Sequence, residues 1–297
     1  MYPQDGETAE ALLSNADTTL YQAKGQGRDC VRFFETGMNQ RLLQYLNLEG
    51  DLRRAIAKAE FWLQYQPIVC LADGKVRGAE ALSRWRRGGA DIISPADFIP
   101  IAEQSGLIVP IGRWVLETAV QEARLWADAG HAGLYISINL SARQFREAGL
   151  ANMIKTIMAK AGVNPAMIRL ELTESTVMND AEQAALTLHE LHDIGCRLAI
   201  DDFGTGYSSL AYLKRFPIDV LKIDRAFVRD LETSHEDVPL IQAMVDMSRA
   251  LGMSVVAEGI ETQGQATLLQ RLGCEFAQGY FFGRPVDSER FPLPPLS

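Results

Sequence analysis

From about residue 60 onward, the chain alternates short apolar runs with stretches of helical periodicity. Eight runs have the length and composition of buried strands, at 61–69, 75–85, 134–140, 168–172, 197–200, 220–223, 254–257 and 276–282. Later helical stretches lie at 111–130, 148–162, 179–194, 236–252 and 262–272. Strands that alternate with helices form parallel sheets with crossover helices, so this pattern restricts the fold more than any other feature.

The number of predicted strands favours a closed barrel. Eight strands in about 235 residues match an α/β fold of the (β/α)₈ TIM-like type. A short turn at 71–74 joins the first two runs as a hairpin, which requires one antiparallel strand near the start. An open doubly wound sheet is the alternative topology.

Composition excludes several classes of protein. The 297 residues carry 29 Lys and Arg against 38 Asp and Glu, and this net charge of −9 disfavours duplex nucleic acid as a partner. No apolar run reaches the roughly 18–20 residues of a membrane helix, so we expect this fragment to be cytoplasmic, although an upstream domain could tether a longer protein to a membrane. The four cysteines are dispersed and do not predict a disulfide scaffold. His189 and His192 have no third ligand nearby in the sequence and do not predict a zinc site.

Most predicted strands end in a polar residue of a type used in catalysis. These residues are Glu80, Asn139, Glu171, Asp201 with Asp202, Lys222, Glu258 and Gln278. In a barrel they would form one ring at the carboxyl ends of the strands, where active sites lie. A single carboxylate there is usually a helix cap, but a series in phase with the strands is not explained by capping. Carboxylates this close repel one another unless cations bind, and an all-oxygen set suits Mg²⁺ or Mn²⁺ better than zinc.

The segments around these strand ends resemble the EAL domain of bacterial cyclic-di-GMP phosphodiesterases. They are EALSRW at 80–85, YQP at 65–67, FIPIAE at 98–103, NLS at 139–141, ELTE at 171–174, DDFGTG at 201–206, LKID at 221–224, AEGIET at 257–262 and QG at 278–279. The resemblance covers about residues 60–285, in the family's order. It implies a TIM-barrel hydrolase of bacterial signalling and biofilm control, which cleaves cyclic-di-GMP to linear pGpG.

The resemblance also implies roles for the ring. The implied metal ligands are Glu80, Asn139, Glu171 and Asp201 for one ion, with Asp201, Asp202 and Glu258 for a second ion. The implied catalytic residues are Lys222, Glu258 and Glu80, and the implied substrate contacts are Gln66, Leu82, Arg84, Asn139, Asp202, Lys222 and Gln278. Two ions of Mg²⁺ or Mn²⁺ would activate a water for in-line attack on phosphorus. The larger and less strictly coordinated Ca²⁺ is expected to inhibit.

Three further residues are expected to support the site indirectly. These are Glu174, Thr205 and Glu261, although Thr205 could equally be an ordinary turn residue. In the family, the equivalent of Glu174 anchors the loop after the fifth strand, here 202–209. The resemblance implies a homodimer formed through this loop and the adjacent helix.

The residues before the barrel pattern are predicted to form helices at 7–24 and 36–59. The segment 9–34, with AD at 16–17, LYQAK at 20–24 and GR at 27–28, is similar to the closing helix and strand of a GGDEF diguanylate cyclase domain, whose signature is absent. We therefore predict a GGDEF remnant at 1–35, a connector helix at 36–59 and the EAL domain at 60–297. A longer protein would carry a GGDEF or sensory domain upstream. An ordinary N-terminal helix is the alternative.

Three other functions compete with hydrolysis. A receptor would bind cyclic-di-GMP without cleaving it, but every matched metal and catalytic position holds the expected type of residue. A Mg²⁺-dependent lyase with Lys222 as its base would leave the Asp201–Asp202 pair and its Gly-rich loop unexplained. A purely structural domain would not require the acidic ring.

Overall fold

The computed structural model describes residues 2–25, 31, 33–35, 37–204, 210–234 and 236–295. Its strands are β1 (Phe61–Cys70), β2 (Val76–Arg87), β3 (Asp91–Ile93), β4 (Tyr135–Asn139), β5 (Ile168–Thr173), β6 (Arg197–Phe203), β7 (Val220–Ile223), β8 (Ser254–Ala257), β9 (Phe276–Gln278) and β10 (Val286–Asp287). Its α-helices are α1 (Ala9–Gly25), α2 (Met38–Ala57), α3 (Pro95–Ser105), α4 (Ile108–Asp128), α5 (Ala142–Phe145), α6 (Leu150–Ala161), α7 (Glu174–Met178), α8 (Ala181–Asp193), α9 (Leu210–Leu213), α10 (Arg225–Val228), α11 (Val238–Ala250) and α12 (Gln263–Leu272). Among these described helices, none has the length and apolar character needed to span a membrane.

Eight strands close into a barrel. Strand β2 and strands β4 to β9 are parallel to one another in sequence order. Strand β1 closes the barrel, because it pairs antiparallel with β9, where Ile68 lies opposite Gln278, and forms a hairpin with β2. The predicted (β/α)₈ barrel with one antiparallel strand near its start is confirmed.

The barrel interior changes from apolar to polar along the strands. Its middle contains the buried side chains of Ile68, Ala199, Val220 and Val256. Because side chains alternate along a strand, the inward residue two positions after Val220 is Lys222, at the carboxyl end of β7. The short parallel strands therefore place an apolar layer directly beneath the polar residues at their carboxyl ends.

At the amino end of the barrel interior, the side chains of Tyr135 and Arg169 stack beside Gly78. Gly78 pairs with Tyr135 across β2 and β4, and a Cβ at Gly78 would lie 2.7 Å from the ring of Tyr135. The guanidinium carbon of Arg169 lies 3.7 Å from the centre of the same ring. Gly78 therefore provides the space that the aromatic ring occupies.

Two predicted strand ends were wrong for local reasons. The run predicted to end at residue 200 continues to Phe203, through a register shift in which Asp202 has a φ of 53°. The run predicted at 276–282 ends at Gln278, because Gly279 lies so close to Ile260 that a Cβ there would be 2.1 Å from its carbonyl oxygen. Strands β3 and β10 were not predicted, since three and two residues are too short to show a period.

The described residues form two compact units, one within 1–61 and 85–108 and the other within 62–84 and 109–297. The first unit contains α1 and α2, where the helices at 7–24 and 36–59 were predicted, together with β3 and α3. Within it, the indole of Trp85 donates a hydrogen bond to Glu60 (3.1 Å) and packs against the ring of Phe98. The domain boundaries at 1–35, 36–59 and 60–297 stay predictions.

Candidate active site

A cavity of about 690 Å³ opens at the carboxyl ends of the parallel strands. It is lined by Gln66, Glu80, Leu82, Asp224, Arg225, Ala226, Arg229, Glu258, Gly259, Glu261, Gln278, Gly279 and Tyr280. Residues from five strands or from the loops after them meet here, which is the usual position of active sites in this architecture. The cavity can accommodate a ligand of small-molecule size.

Lys222 lies at the centre of the acidic residues. Its ammonium nitrogen is 2.6 Å from both Glu171 Oε2 and Glu258 Oε1, and it is 3.3 Å from Asp201 Oδ2 and 3.9 Å from Glu80 Oε2. The lysine side chain is 1% exposed. Four of the predicted ring carboxylates are thus brought within reach of a single buried cation.

Two amides donate to the carboxylate of Glu80, and a third amide contacts one of them. Asn139 Nδ2 donates to Glu80 Oε1, and Gln278 Nε2 donates to Glu80 Oε2, each at 2.6 Å. Gln278 Nε2 also lies 3.0 Å from Gln66 Oε1, and Gln66 in turn donates to the carbonyl of Gly283 at 3.1 Å. The structure therefore joins the predicted residues Glu80, Asn139, Gln278 and Gln66 in one network.

The Asp201–Asp202 pair is shaped by the irregular end of β6. The backbone N–H of Asp202 donates to Asp201 Oδ1 at 3.0 Å, and the positive φ of Asp202 turns its side chain away from the alternation of the strand. Burial, with the charges of Asp201 and Asp224, raises the pKa of Asp202 to about 6. Asp202 therefore lies beside the central cluster and near Asp224.

Burial and mutual repulsion disfavour ionisation of the central acids. Burial, opposed by Lys222, raises the pKa of Glu171 to about 7, and burial also raises the pKa of Glu258 well above its usual range. Burial alone would lower the pKa of Lys222, but Asp201, Glu171 and the other carboxylates outweigh it and hold this pKa well above normal. The cluster thus contains more acid than one ammonium group can neutralise.

The chemistry of the cluster fits hard divalent cations. The buried atom Glu171 Oε1 has no hydrogen-bond partner among the described residues, and neither does the carbonyl oxygen Gln278 Oε1. The same part of the chain contains no three Asp, Glu, His or Cys side chains already arranged around one ion position. Lys222 lies between the carboxylates, so a bound cation would share these ligands with its ammonium group.

Three of the predicted substrate contacts, Gln66, Leu82 and Arg84, lie on β1 and β2 at the rim. Leu82 and Gln66 line the cavity, and Arg84 follows Leu82 by two residues on β2. Arg84 is half-buried, and its Nε donates to Gln64 Oε1 at 2.9 Å. Burial lowers the pKa of Arg84.

The predicted supporting residues occupy different positions. Glu174 is buried at the start of α7, and its Oε2 accepts a hydrogen bond from the backbone N–H of Gly204 at 3.0 Å. Glu261 is exposed and lines the cavity, while its backbone N–H donates to Gln265 in the first turn of α12. Thr205 lies outside the described residues, as does most of the predicted dimer loop at 202–209.

A family model described as the EAL domain matches residues 49–285 of the chain. The chain belongs to the EAL domain family. The chain is 45% identical over 290 residues to the bifunctional diguanylate cyclase/cyclic di-GMP phosphodiesterase MucR of Pseudomonas aeruginosa, over 98% of the chain and 42% of the relative. It is 41% identical to the cyclic di-GMP phosphodiesterase NbdA of the same organism, over 96% of the chain and 36% of the relative.

A solved structure supports the same assignment. The PaMucR phosphodiesterase, in complex with c-di-GMP, matches this EAL domain with a TM-score of 0.80 and 45% identity, over 82% of the chain and 99% of that structure. The chain spans less than half the length of the two curated relatives.

Sequence reasoning missed several residues of the cavity in this EAL domain. Asp224, Arg225, Arg229 and Tyr280 line it without having been given a role. Asp224 was part of the LKID segment and follows β7 directly, so its position at a strand end was the available signal. Tyr280 follows β9 in an aromatic run that was assigned to the strand itself.

Proposed function

We propose that this EAL domain is a phosphodiesterase that hydrolyses cyclic-di-GMP to linear pGpG. The observation that carries the proposal is the convergence of Glu80, Glu171, Asp201 and Glu258 within 4 Å of Lys222, next to an open cavity. The printed names of MucR and NbdA support the same substrate and reaction.

The proposed cofactor is a pair of Mg²⁺ or Mn²⁺ ions. The residues that would hold it are Glu80, Asn139, Glu171, Asp201, Asp202 and Glu258. When bound, such a pair supplies Lewis acidity and a water of lowered pKa. The unpartnered Glu171 Oε1 and the raised carboxyl pKa values support this assignment, because a cation would relieve both.

The remaining polar residues would act on the substrate. Arg84 would hold a phosphate, since its planar guanidinium donates to two oxygens at once. Gln66, Leu82 and Gln278 would line the bound dinucleotide. Lys222 would orient the attacking water and offset the negative charge that develops on the phosphoryl group.

We also propose that the full-length protein carries a GGDEF or sensory domain before this one, and that 1–35 is a GGDEF remnant. Two features support this proposal. MucR is named as bifunctional and is more than twice as long as the matched region. The side chains of Leu13 and Leu20, seven residues apart on one face of α1, are 68% and 53% exposed, as expected of an apolar surface that a further domain would cover. We further propose that this domain is cytoplasmic. We also propose that it forms a homodimer through the loop at 202–209 and the adjacent helix.

The test is to incubate the protein with cyclic-di-GMP and Mg²⁺ or Mn²⁺ and to separate the products by anion-exchange chromatography. We expect pGpG from wild type and none in the presence of EDTA or from Asp201→Asn. Intact cyclic-di-GMP that is nevertheless bound by wild type would identify a receptor instead.

A second variant separates substrate binding from metal binding. Arg84→Ala should raise KM for cyclic-di-GMP but leave the Mg²⁺-dependent rise in melting temperature intact, because arginine offers no ligand atom to a cation. Loss of the metal effect in this variant would show that Arg84 supports the fold instead.

A further inference from the structure

Gln64 holds the guanidinium of Arg84 at the rim of the barrel. Arg84 Nε donates to Gln64 Oε1 at 2.9 Å, and Arg84 Nη1 donates to the carbonyl of Ser83 at 3.0 Å. Arg84 lies on the same face of β2 as Leu82 and Glu80, both of which line the cavity. Nε and one hydrogen of Nη1 are therefore bonded to protein, and a ligand would use the remaining hydrogens of Nη1 and Nη2.

Asp287 fixes the orientation of the Gln64 amide. Strand β10 pairs with β1 so that Asp287 is opposite Gln64, and Gln64 Nε2 donates to Asp287 Oδ1 at 3.2 Å. The indole of Trp62 donates to the same oxygen at 3.2 Å. Because an ionised carboxylate only accepts hydrogen bonds, it draws the NH₂ group of Gln64 toward itself and turns Oε1 toward Arg84.

We infer that Gln64 and Asp287 are positioning residues for the phosphate of the substrate. In this arrangement Gln64 accepts the hydrogen bond of Arg84 Nε. Two oxygens of a substrate phosphate would then each accept a hydrogen bond from one of the two Nη groups. Asp287 acts through Gln64 and does not touch the substrate. This inference rests on the proposed function, in which Arg84 holds cyclic-di-GMP.

The two-residue strand β10 thereby acquires a role in substrate binding. It belongs to the last described part of the chain, and no strand signal marks it in the sequence. A Gln at position 64 that served only the sheet would not need its side-chain amide in a fixed orientation. The geometry therefore predicts that substitutions at positions 64 and 84 have non-additive effects on substrate affinity, and that turnover shows no such coupling.

A double-mutant cycle tests this coupling. Gln64→Met keeps the size of the side chain but removes the acceptor, and we expect it to raise KM for cyclic-di-GMP by about tenfold, the effect of one lost hydrogen bond to a charged group. The value of kcat should change by less than about twofold, since the reacting atoms are not touched. In an Arg84→Ala background, Gln64→Met should have no further effect on KM.

Matched variants separate positioning from folding. Gln242→Met removes a similar Gln–Asp hydrogen bond, to Asp246 on the surface of α11, and should leave KM unchanged. Asp287→Asn keeps an acceptor for Gln64 and should remain near wild type, whereas Asp287→Leu should raise KM. The Mg²⁺-dependent shift in melting temperature should be the same in all of these variants.

The outcomes distinguish the inference from the function on which it rests. An equal effect of Gln64→Met on KM in both backgrounds would overturn the inference while hydrolysis stands. If wild type binds cyclic-di-GMP without cleaving it, the same cycle measured on Kd by calorimetry decides the inference, although the proposed activity fails. A wild type that neither binds nor cleaves would overturn both.

Discussion

The ammonium nitrogen of Lys222 lies 2.6 Å from Glu171 Oε2, and both side chains are at most 1% exposed. In a buried ion pair, the free energy lost when both groups are dehydrated offsets much of their Coulombic attraction. Removal of one partner is nevertheless strongly destabilising, because it leaves the other charge buried and unpaired. Here the pair lies among three further carboxylates, and the lysine therefore neutralises a cluster and not a single acid.

Removal of the lysine charge should destabilise the protein when no metal is bound. We expect Lys222→Met to lower the free energy of unfolding in EDTA by about 3–5 kcal/mol, because the buried carboxylate of Glu171 loses the ammonium group that pairs with it. Millimolar Mg²⁺ should restore most of this loss, since a bound cation replaces the missing charge. Lys155→Met, at an exposed position on α6, is the control and should change neither value. Equal melting temperatures for the two variants in EDTA would contradict the prediction.

Stability without metal should fall as the pH rises. The pKa of Glu171 is about 7 in the folded protein and 4.5 in its ordinary range, so between these values the folded state binds more protons than the unfolded state. The stability from the protonated carboxyl is complete below about pH 4.5 and is lost as the pH rises through 7, by an amount on the order of a few kcal/mol. Asp202, with a raised pKa of about 6, acts in the same direction.

Thermal denaturation in EDTA from pH 5 to pH 8 measures this effect. Glu171→Gln should flatten the dependence, because its amide does not titrate. The gain in melting temperature from Mg²⁺ should increase over the same range, since ions bind the deprotonated carboxylates. A gain that is constant with pH would argue against metal binding at this cluster.

Calcium should separate binding from cleavage. Ca²⁺ takes more ligands at longer distances than Mg²⁺, and should therefore occupy the acidic cluster without supporting in-line attack. We expect cyclic-di-GMP to bind in Ca²⁺ and to remain uncut, and to be converted to pGpG once Mg²⁺ replaces it. Glu258→Ala should bind the dinucleotide but lose most turnover in Mg²⁺. Full turnover in that variant would leave hydrolysis intact and remove the second ion from the proposal.

Glu174 should act on turnover through the end of β6. Its Oε2 accepts from the N–H of Gly204, two residues after Asp202, so Glu174→Ala releases the backbone that positions this carboxylate. By analogy with lost outer partners of metal ligands, we expect the Mg²⁺ concentration for half-maximal activity to rise about ten- to hundredfold. Glu174→Gln keeps an acceptor and should stay close to wild type. Similar losses in both variants would indicate that the charge of Glu174, and not its hydrogen bond, matters.

Gly78 should be required for stability and not for chemistry. A Cβ there would lie 2.5 Å from the carbonyl oxygen of Tyr135 and 2.7 Å from its ring, so Gly78→Ala forces the stack against Arg169 to move. We expect a loss of about 1–3 kcal/mol in urea unfolding. Gly133→Ala is the matched control, because nothing lies within 4 Å of its added Cβ. Comparable unfolding midpoints for the two variants would show that the barrel interior yields easily at this place.

Many site residues could be predicted from the sequence because their signal is local, a polar residue within or directly after an otherwise apolar run. Glu80, Asn139 and Glu171 were placed in the site on that basis, and the structure brings them together. The central position of Lys222 could not be predicted, since the strand pattern gives the position of a residue but not the point that a long side chain reaches. Asp202 was assigned to a strand end, while the register shift that redirects it depends on pairing with β7.

The contacts of Gln64 could not be predicted from the sequence, for a different reason. They depend on β10, whose two residues have no detectable period, and on a pairing with a strand more than 200 residues earlier. The early end of β9 likewise depends on the close approach of Gly279 to Ile260. Features that arise from contacts between distant segments leave little trace in any single stretch of sequence.

The reversed direction of β1 also has a practical consequence. Since β1 runs against its neighbours, its turn with β2 at 71–74 emerges at the amino ends of the parallel strands, about 13 Å along β1 beyond Gln66, which lines the cavity. A fluorophore or surface linker attached at the exposed Asp73 would therefore leave the opening accessible to a dinucleotide. The domain could be immobilised by this turn and used as a sensor, with the tether and the ligand at opposite ends of the barrel.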